Sequence, residues 1–220
     1  MDTVAAIIPV AGLSSRMGSF KPLIKLDGFS LIQRAVQSAL AGGVQTVALV
    51  TGERANDVKA ALADQCGGEQ GDRILFVNNP HFETSDMLQS VKLALSGLLE
   101  HKEGRPACVF VLPGDMPGVR PQTFAALQTR WRETRAAVLV PCYEGRRGHP
   151  VLFSNECFEA VLAADEHSGG LKNALTDHEW LEVHLSDPGI LLDADTPQAL
   201  ARLGQHIETT TTRSWRRNHD

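Results

Sequence analysis

The chemistry-bearing residues of this sequence sit on three short turns, one cationic and two acidic. In the first, Ala5-Ala6-Ile7-Ile8-Pro9-Val10 runs into Ala11-Gly12-Leu13-Ser14-Ser15-Arg16-Met17-Gly18, with Lys21 just beyond. Glycine and serine let backbone N–H groups approach an anion without side chains in the way. Arg16 and Lys21 add fixed positive charge where phosphate oxygens would sit. The segment reads as a triphosphate cradle at the carboxyl end of a first strand. It is neither of the two common phosphate loops. G-x-x-x-x-G-K-[ST] fails because Gly12 and Gly18 are six apart and Ser19 follows, and G-x-G-x-x-G is absent.

The acidic turns are Pro113-Gly114-Asp115-Met116-Pro117 and Leu192-Asp193-Ala194-Asp195-Thr196-Pro197. A hard divalent cation takes one or two carboxylates together with phosphate oxygens. Asp115 and Asp193, on different turns, form a suitable pair. Each acid also has a plainer reading. Asp115 in a Gly-Asp-x-Pro turn can bond its own backbone, and Asp195 ahead of Thr196-Pro197 can serve as a helix cap.

The elements that must position these turns follow from hydrophobic periodicity. Strands are expected at Val4–Val10, Thr46–Val50, Ile74–Val77, Ala107–Leu112 and Ala137–Val140. Between them, helices are expected at Leu31–Leu40 with Ser30 as N-cap, Asn56–Ala63, Ser85–Leu99 and Pro121–Trp131. Leu88, Val91, Leu95 and Leu98 lie on one side of the third helix. The β–α alternation implies an α/β fold with a mostly parallel central sheet and helices on both faces. The order then changes. A short strand is expected at Val151–Phe153, helices at Glu156–Ala163 and Leu171–Thr176, and late strands at Leu181–Leu185 and Ile190–Leu192. Thr196 then caps a last helix through Leu203. In an open parallel sheet, ligands bind outside the carboxyl ends of the strands, where all three turns fall.

Composition bounds the alternatives. A chain of 220 residues fits one domain, expected over residues 1–207, with 208–220 as a disordered tail. Its net charge of −5 argues against a nucleic-acid partner. The longest apolar runs fall short of a membrane span, and Met1-Asp2-Thr3 does not open a signal peptide. Cys66, Cys108, Cys142 and Cys157 are widely spaced and suggest no zinc site. Reduced thiols and a cytoplasmic location fit this usage, with Cys108 as a small buried hydrophobe.

Four motifs in order, Ala11 to Gly18 with Lys21-Pro22-Leu23, Gly114-Asp115-Met116-Pro117, Gly148-His149-Pro150-Val151-Leu152-Phe153 and Asp193-Ala194-Asp195-Thr196-Pro197, resemble the MobA-like nucleotidyltransferases. Within that family the resemblance is greatest to the molybdenum cofactor cytidylyltransferases, and it spans residues 4 to 203. It implies a Rossmann-like, GT-A-type nucleotidyltransferase fold, use of magnesium, and coupling of a nucleoside triphosphate to a phosphorylated acceptor with loss of pyrophosphate. It implies that Ala11, Gly12, Leu13, Ser14, Ser15 and Arg16 hold the triphosphate and that Lys21 neutralises charge on the α-phosphate. Asp115 would bind magnesium with Asp193 as second carboxylate. Thr51 and Gly52 would lie near the base, Ser90 near the nucleotide, and Gly148 and His149 on the acceptor side. The plainer reading of His149 is a structural histidine bonded to nearby backbone. Arg146 and Arg147, in a glycine-flanked loop, are further candidates for an anionic acceptor.

The sequence departs from the family where cytidylyl-type relatives carry Gly-Asp-x-Gly-Ala-Arg. The matching stretch here is His167-Ser168-Gly169-Gly170-Leu171-Lys172-Asn173, which lacks that Asp and Arg. The expected activity is CMP transfer from CTP to molybdopterin, with a molybdoenzyme receiving the product. The Leu13 form of the first turn resembles the cytidylyl branch. The alternatives are guanylyl transfer, a sugar-phosphate or polyol-phosphate acceptor, and a non-catalytic nucleotide-binding chaperone. Retention of Lys21, Asp115 and Asp193 together favours catalysis.

Overall fold

In the computed structural model, residues 2–11, 20–63, 73–101, 104–165 and 169–217 are described. The triphosphate-turn residues Gly12, Leu13, Ser14, Ser15 and Arg16, like Cys66, lie outside them. In chain order the strands are β1 (Val4–Pro9), β2 (Lys25–Leu26), β3 (Phe29–Ser30), β4 (Thr46–Thr51), β5 (Ile74–Asn78), β6 (Cys108–Val111), β7 (Val138–Tyr143), β8 (Arg146–Arg147), β9 (Val151–Ser154) and β10 (Trp180–His184). The helices are α1 (Leu31–Ala41), α2 (Ala55–Ala61), α3 (Met87–Glu100), α4 (Pro121–Thr134), α5 (Phe158–Ala163), α6 (Gly170–Ala174) and α7 (Pro197–Arg217).

The main sheet has the order β10-β7-β9-β6-β1-β4-β5, with β8 hairpinned onto β7. β9 runs antiparallel to both β6 and β7, and the other long strands are parallel. The expected α/β fold is therefore present. The near-continuous apolar run of β1 is explained by burial on both faces. Val4, Ala6 and Ile8 enter one core beneath α1 and α4, where Phe110 meets Phe124 edge-on at 5.1 Å. Ala5 and Ile7 enter the other, against Leu88, Val91, Leu95 and Leu98 of α3. Cys108 is fully buried in the first core, which pushes its thiol up to about 12.

Local chemistry sets the helix starts. Ser30 and Gln33 form a reciprocal capping box at α1. Asp86 caps α3 by accepting from Gln89 N–H at 3.0 Å. Thr196 caps α7 by accepting from Ala199 N–H at 3.1 Å. The helix expected to end at Leu203 continues to Arg217.

Two expectations need correction. Ile190–Leu192 is not a strand. Pro188–Leu191 forms a 3-10 turn because Asp187 caps it, accepting from Gly189 N–H at 3.0 Å, with Pro188 in its first position. Arg146–Arg147, read as part of a glycine-flanked loop, forms a strand beyond a tight turn with positive φ at Glu144 (49°) and Gly145 (75°).

Candidate active site

The carboxyl ends of β1 and β6 meet the start of α3 around a cleft of about 290 Å³. Ala11, Lys21, Ser90 and Asp115 line it, as do Phe82 and Met87. Gly114 is the reason Asp115 reaches β1. A Cβ at Gly114 would stand 2.5 Å from Val10 Cγ1 and 2.9 Å from the Pro9 carbonyl oxygen. Without a side chain, Gly114 N–H donates to that carbonyl at 3.2 Å and the acidic turn closes onto the first strand.

The third turn arrives from the far end of the chain. Asp187 anchors it, buried and accepting from Thr123 Oγ1 at 2.6 Å and Arg120 N–H at 2.9 Å. Asp195 Oδ1 then lies 2.6 Å from Lys21 Nζ, with side-chain exposures of 47% and 12%. Burial raises the Asp115 carboxyl above its ordinary range, and the nearby charge of Asp195 raises it further. Lys21 and a hydrogen bond to Asp115's own backbone act the other way, and Asp193 adds a smaller upward push. The self-bonded turn read from the sequence is therefore present, but burial and repulsion between carboxylates outweigh it.

These contacts refine the expected acidic pair. Asp115 and Asp193 do come to the same end of the sheet. Asp195, read as a helix cap, acts more strongly on Asp115 than Asp193 does, while Thr196 does the capping. Asp193 Oδ1 accepts from Asp195 N–H at 3.1 Å, which fixes the bend of the turn. The local sequence carried no signal that Asp195 would meet Lys21.

Ser90 is 4% exposed and accepts from Asn79 Nδ2 at 3.3 Å. The same amide donates to Ser85 Oγ at 2.8 Å. Asn79 thereby fixes the segment that carries Phe82. Thr51 and Gly52 stand behind this segment: Thr51 Oγ1 donates to the Val77 carbonyl at 3.4 Å. A Cβ at Gly52 would meet Phe82 Cγ at 2.6 Å, so Gly52 bears on the cleft through Phe82. Phe82 and Met87, not anticipated from sequence, supply its apolar surface. Met87 is 46% exposed, unusual for a large hydrophobic side chain here.

Gly148 and His149 are not brought to this cleft. Gly148 packs on Ile190, and His149 N–H donates to the Ile190 carbonyl at 3.0 Å. Burial lowers the His149 imidazole below its ordinary value, opposed by a hydrogen bond to the Val111 backbone. Nδ1 of the ring is buried and has no hydrogen-bond partner among the described residues.

A second cavity, of about 370 Å³, opens on the other side of the third turn, lined by Tyr143, Arg146, Asp193 and Arg202 among others. Arg147 points elsewhere, with Nε 2.8 Å from Glu182 Oε1. Among the described residues, Cys142, Glu182 and His184 are the one group of three or more ligand atoms within 4.8 Å of one another. The Arg147 guanidinium on Glu182 opposes a cation there. At the first cleft the donors are oxygens, and no thiol or imidazole is among its described lining residues. An Asp115 carboxyl raised by burial and by the neighbouring charges of Asp195 and Asp193 fits a hard divalent ion, which would relieve that repulsion. No described helix is long and apolar enough to cross a membrane.

The family described as MobA-like NTP transferase domain matches residues 6–183. The molybdenum cofactor cytidylyltransferase of Escherichia coli K12 is 28% identical over 198 residues, 90% of this chain and 93% of that one. A nucleotidyl transferase from Methanothermobacter superposes with a TM-score of 0.75 at 20% identity, covering 96% of this chain and 100% of its own. A Mycobacterium tuberculosis H37Rv protein in complex with manganese gives 0.66 at 21% identity, covering 92% and 98%. The fold is thus the Rossmann-like fold of nucleotidyltransferases.

Proposed function

Because the chain belongs to the MobA-like NTP transferase family and is a nucleotidyltransferase, we propose that it transfers CMP from CTP to a molybdopterin-type phosphorylated acceptor, with magnesium as its metal. The observation that carries this reading is the convergence of Lys21, Asp115 and Asp195 at the carboxyl ends of the strands. These residues are drawn from near the start, the middle and near the end of the chain.

In such a reaction an acceptor phosphate oxygen attacks the α-phosphorus, the bond to the β-phosphate oxygen breaks, and pyrophosphate leaves. A phosphate acceptor is already ionised near neutral pH, so neither a protein nucleophile nor a strong base is required. The obstacle is bringing two anions together, and catalysis is positioning plus charge neutralisation. Asp115, with Asp193 as second carboxylate, would hold magnesium, which supplies charge neutralisation and orientation of the phosphate oxygens. Lys21, held in place by Asp195, would face the α-phosphate. Gly12, Ser14, Ser15 and Arg16 would take the β- and γ-phosphates. Ser90 would lie beside the nucleotide, and the apolar surface of Phe82 and Met87 would meet its base or ribose.

The choice of CTP rests on the cytidylyltransferase relative and on Leu13. The test is pyrophosphate release with CTP, GTP and ATP in the presence of magnesium and molybdopterin. The expected result is a preference of at least tenfold for CTP. A preference for GTP would overturn the base assignment. Turnover with sugar 1-phosphates but not molybdopterin would shift the acceptor, a reading favoured by the missing Asp and Arg around Gly169 and Gly170. No pyrophosphate release with any pair would overturn the transferase reading for this protein.

A further inference from the structure

We infer that the second cavity is the acceptor subsite, and that Arg146 and Arg202 bind the acceptor as a phosphomonoester carried on a flat ring. This rests on the transferase reading above and adds to it the residues that select the second substrate.

The first argument is position. A transferase must hold two anions with the reacting atoms about 3–3.5 Å apart before reaction. The 290 Å³ cleft takes one of them. The 370 Å³ cavity shares the third turn with it: Asp193 lines the cavity, and Asp195 holds the Lys21 that lines the cleft. An anion entering the second cavity therefore approaches the turn that carries Asp193 and Asp195.

The second argument is charge. Arg146 and Arg202 are exposed, line the same cavity as Glu144 and Asp193, and make no ion pair with any described residue. Their neighbour Arg147 is already engaged by Glu182. Successive residues of a strand point to opposite sides, so the pairing of β8 with β7 sends Arg147 to Glu182 and Arg146 to the cavity. The tight turn at Glu144 and Gly145 fixes that hairpin. Two guanidinium groups offer the planar fork that matches phosphate oxygens.

The third argument is shape. Leu191, Leu192 and Tyr143 add apolar and aromatic wall to the same cavity. A small apolar face beside two cations fits an anion attached to a planar ring better than a bare polyol phosphate.

The location of Arg202 adds a further point. The family match ends at residue 183. Arg202 lies on α7 beyond it, and the Pro188–Leu191 turn that walls the cavity does too. The C-terminal segment therefore supplies Arg202 and one wall of the acceptor side, as it supplies Asp195 to Lys21 on the triphosphate side.

The experiment follows arginine Nε–Hε resonances of the full chain while phenyl phosphate, a minimal phosphomonoester on a ring, is titrated in with and without CTP and magnesium. The expected result is saturable movement of the Arg146 and Arg202 signals. Affinity should be lost at least tenfold in both R146Q and R202Q, and CTP affinity should stay within twofold of wild type. Unchanged phenyl phosphate affinity in both variants would overturn the proposal. So would movement confined to other arginines, or no saturable binding at all. Absence of CTP binding by the wild type would instead overturn the transferase reading. The nucleotide-free titration would still decide whether these two arginines take the phosphate.

Discussion

Lys21 Nζ lies 2.6 Å from Asp195 Oδ1, although 174 positions separate the two residues. The contact joins the end of the cationic turn to the last acidic turn, and it makes the position of Lys21 depend on the C-terminal segment. Replacing Lys21 by Met should lower kcat about 10²–10³-fold, as removal of one preorganised charge donor does. Replacing Asp195 by Asn should cost less, about tenfold, because the lysine stays but loses its anchor. The two effects should not add: the double variant should resemble K21M alone. Additive losses in a double-mutant cycle on kcat would separate the two residues and remove the positioning role of Asp195.

At Asp115, function and stability oppose each other. Its carboxyl is raised by burial first and by Asp195 next. A carboxyl with a raised folded value binds protons more tightly folded than unfolded. Its contribution to stability is then fully favourable below the ordinary value near 3.9 and is lost as pH rises through the folded value. At pH 7 the ionised group therefore costs metal-free protein stability. Asp115→Asn should raise the Tm of metal-free protein at pH 7 while lowering kcat by at least about 10²-fold. Thermal melts at pH 7 that show a lower Tm for the variant would mean the carboxylate is a structural support.

Gly52 bears on the cleft without lining it. A Cβ there would approach Phe82 Cγ and Cβ to 2.6 and 2.8 Å. Both are closer than real contacts allow, so Phe82 must swing. Gly52→Ala should therefore raise the KM for CTP several-fold with kcat nearly unchanged. It should cost about 1–3 kcal/mol of stability, the usual range for overpacking. A drop in kcat at unchanged KM would place Phe82 near the reacting phosphates instead of the base.

Much of this site was legible in the sequence because its parts are local. The Gly114-Asp115 turn follows directly from an apolar run closed by Pro113. The caps Ser30 and Thr196 are short-range hydrogen-bonding chemistry, and the apolar face of α3 is a periodicity. The rest depended on distant partners. Nothing near Asp195 marks it as the partner of Lys21, since the two meet only through the tertiary fold, 174 positions apart. Phe82 and Met87 lie in a segment whose path is set by the Asn79 amide, which bonds two serines at once. The Ile190–Leu192 run looked like a strand because three apolar residues are ambiguous by periodicity alone. The side chain of Asp187 decided it. Arg146 and Arg147 are adjacent in sequence, and only the strand pairing of β8 gives them different surroundings.

His149 provides a test of the acceptor-side motif through pH. Burial holds its imidazole below the ordinary value, and the bond to the Val111 backbone recovers only part of the difference. The unfolded chain titrates near 6.5. As pH falls below that value, the unfolded state takes up a proton that the folded state refuses. Folding stability is thus fully present above about 6.5 and declines with falling pH until the folded imidazole also protonates. His149→Gln removes this proton linkage. The urea midpoint of the wild type should accordingly fall more between pH 7 and pH 5 than that of H149Q, the other histidines contributing equally to both. Activity with CTP and acceptor at pH 7.5 should change less than about threefold, since the ring's bond to Val111 is to backbone and His149 does not line the cleft. Parallel midpoint curves would show that His149 does not carry the linkage, and a large loss of activity would return it to the acceptor.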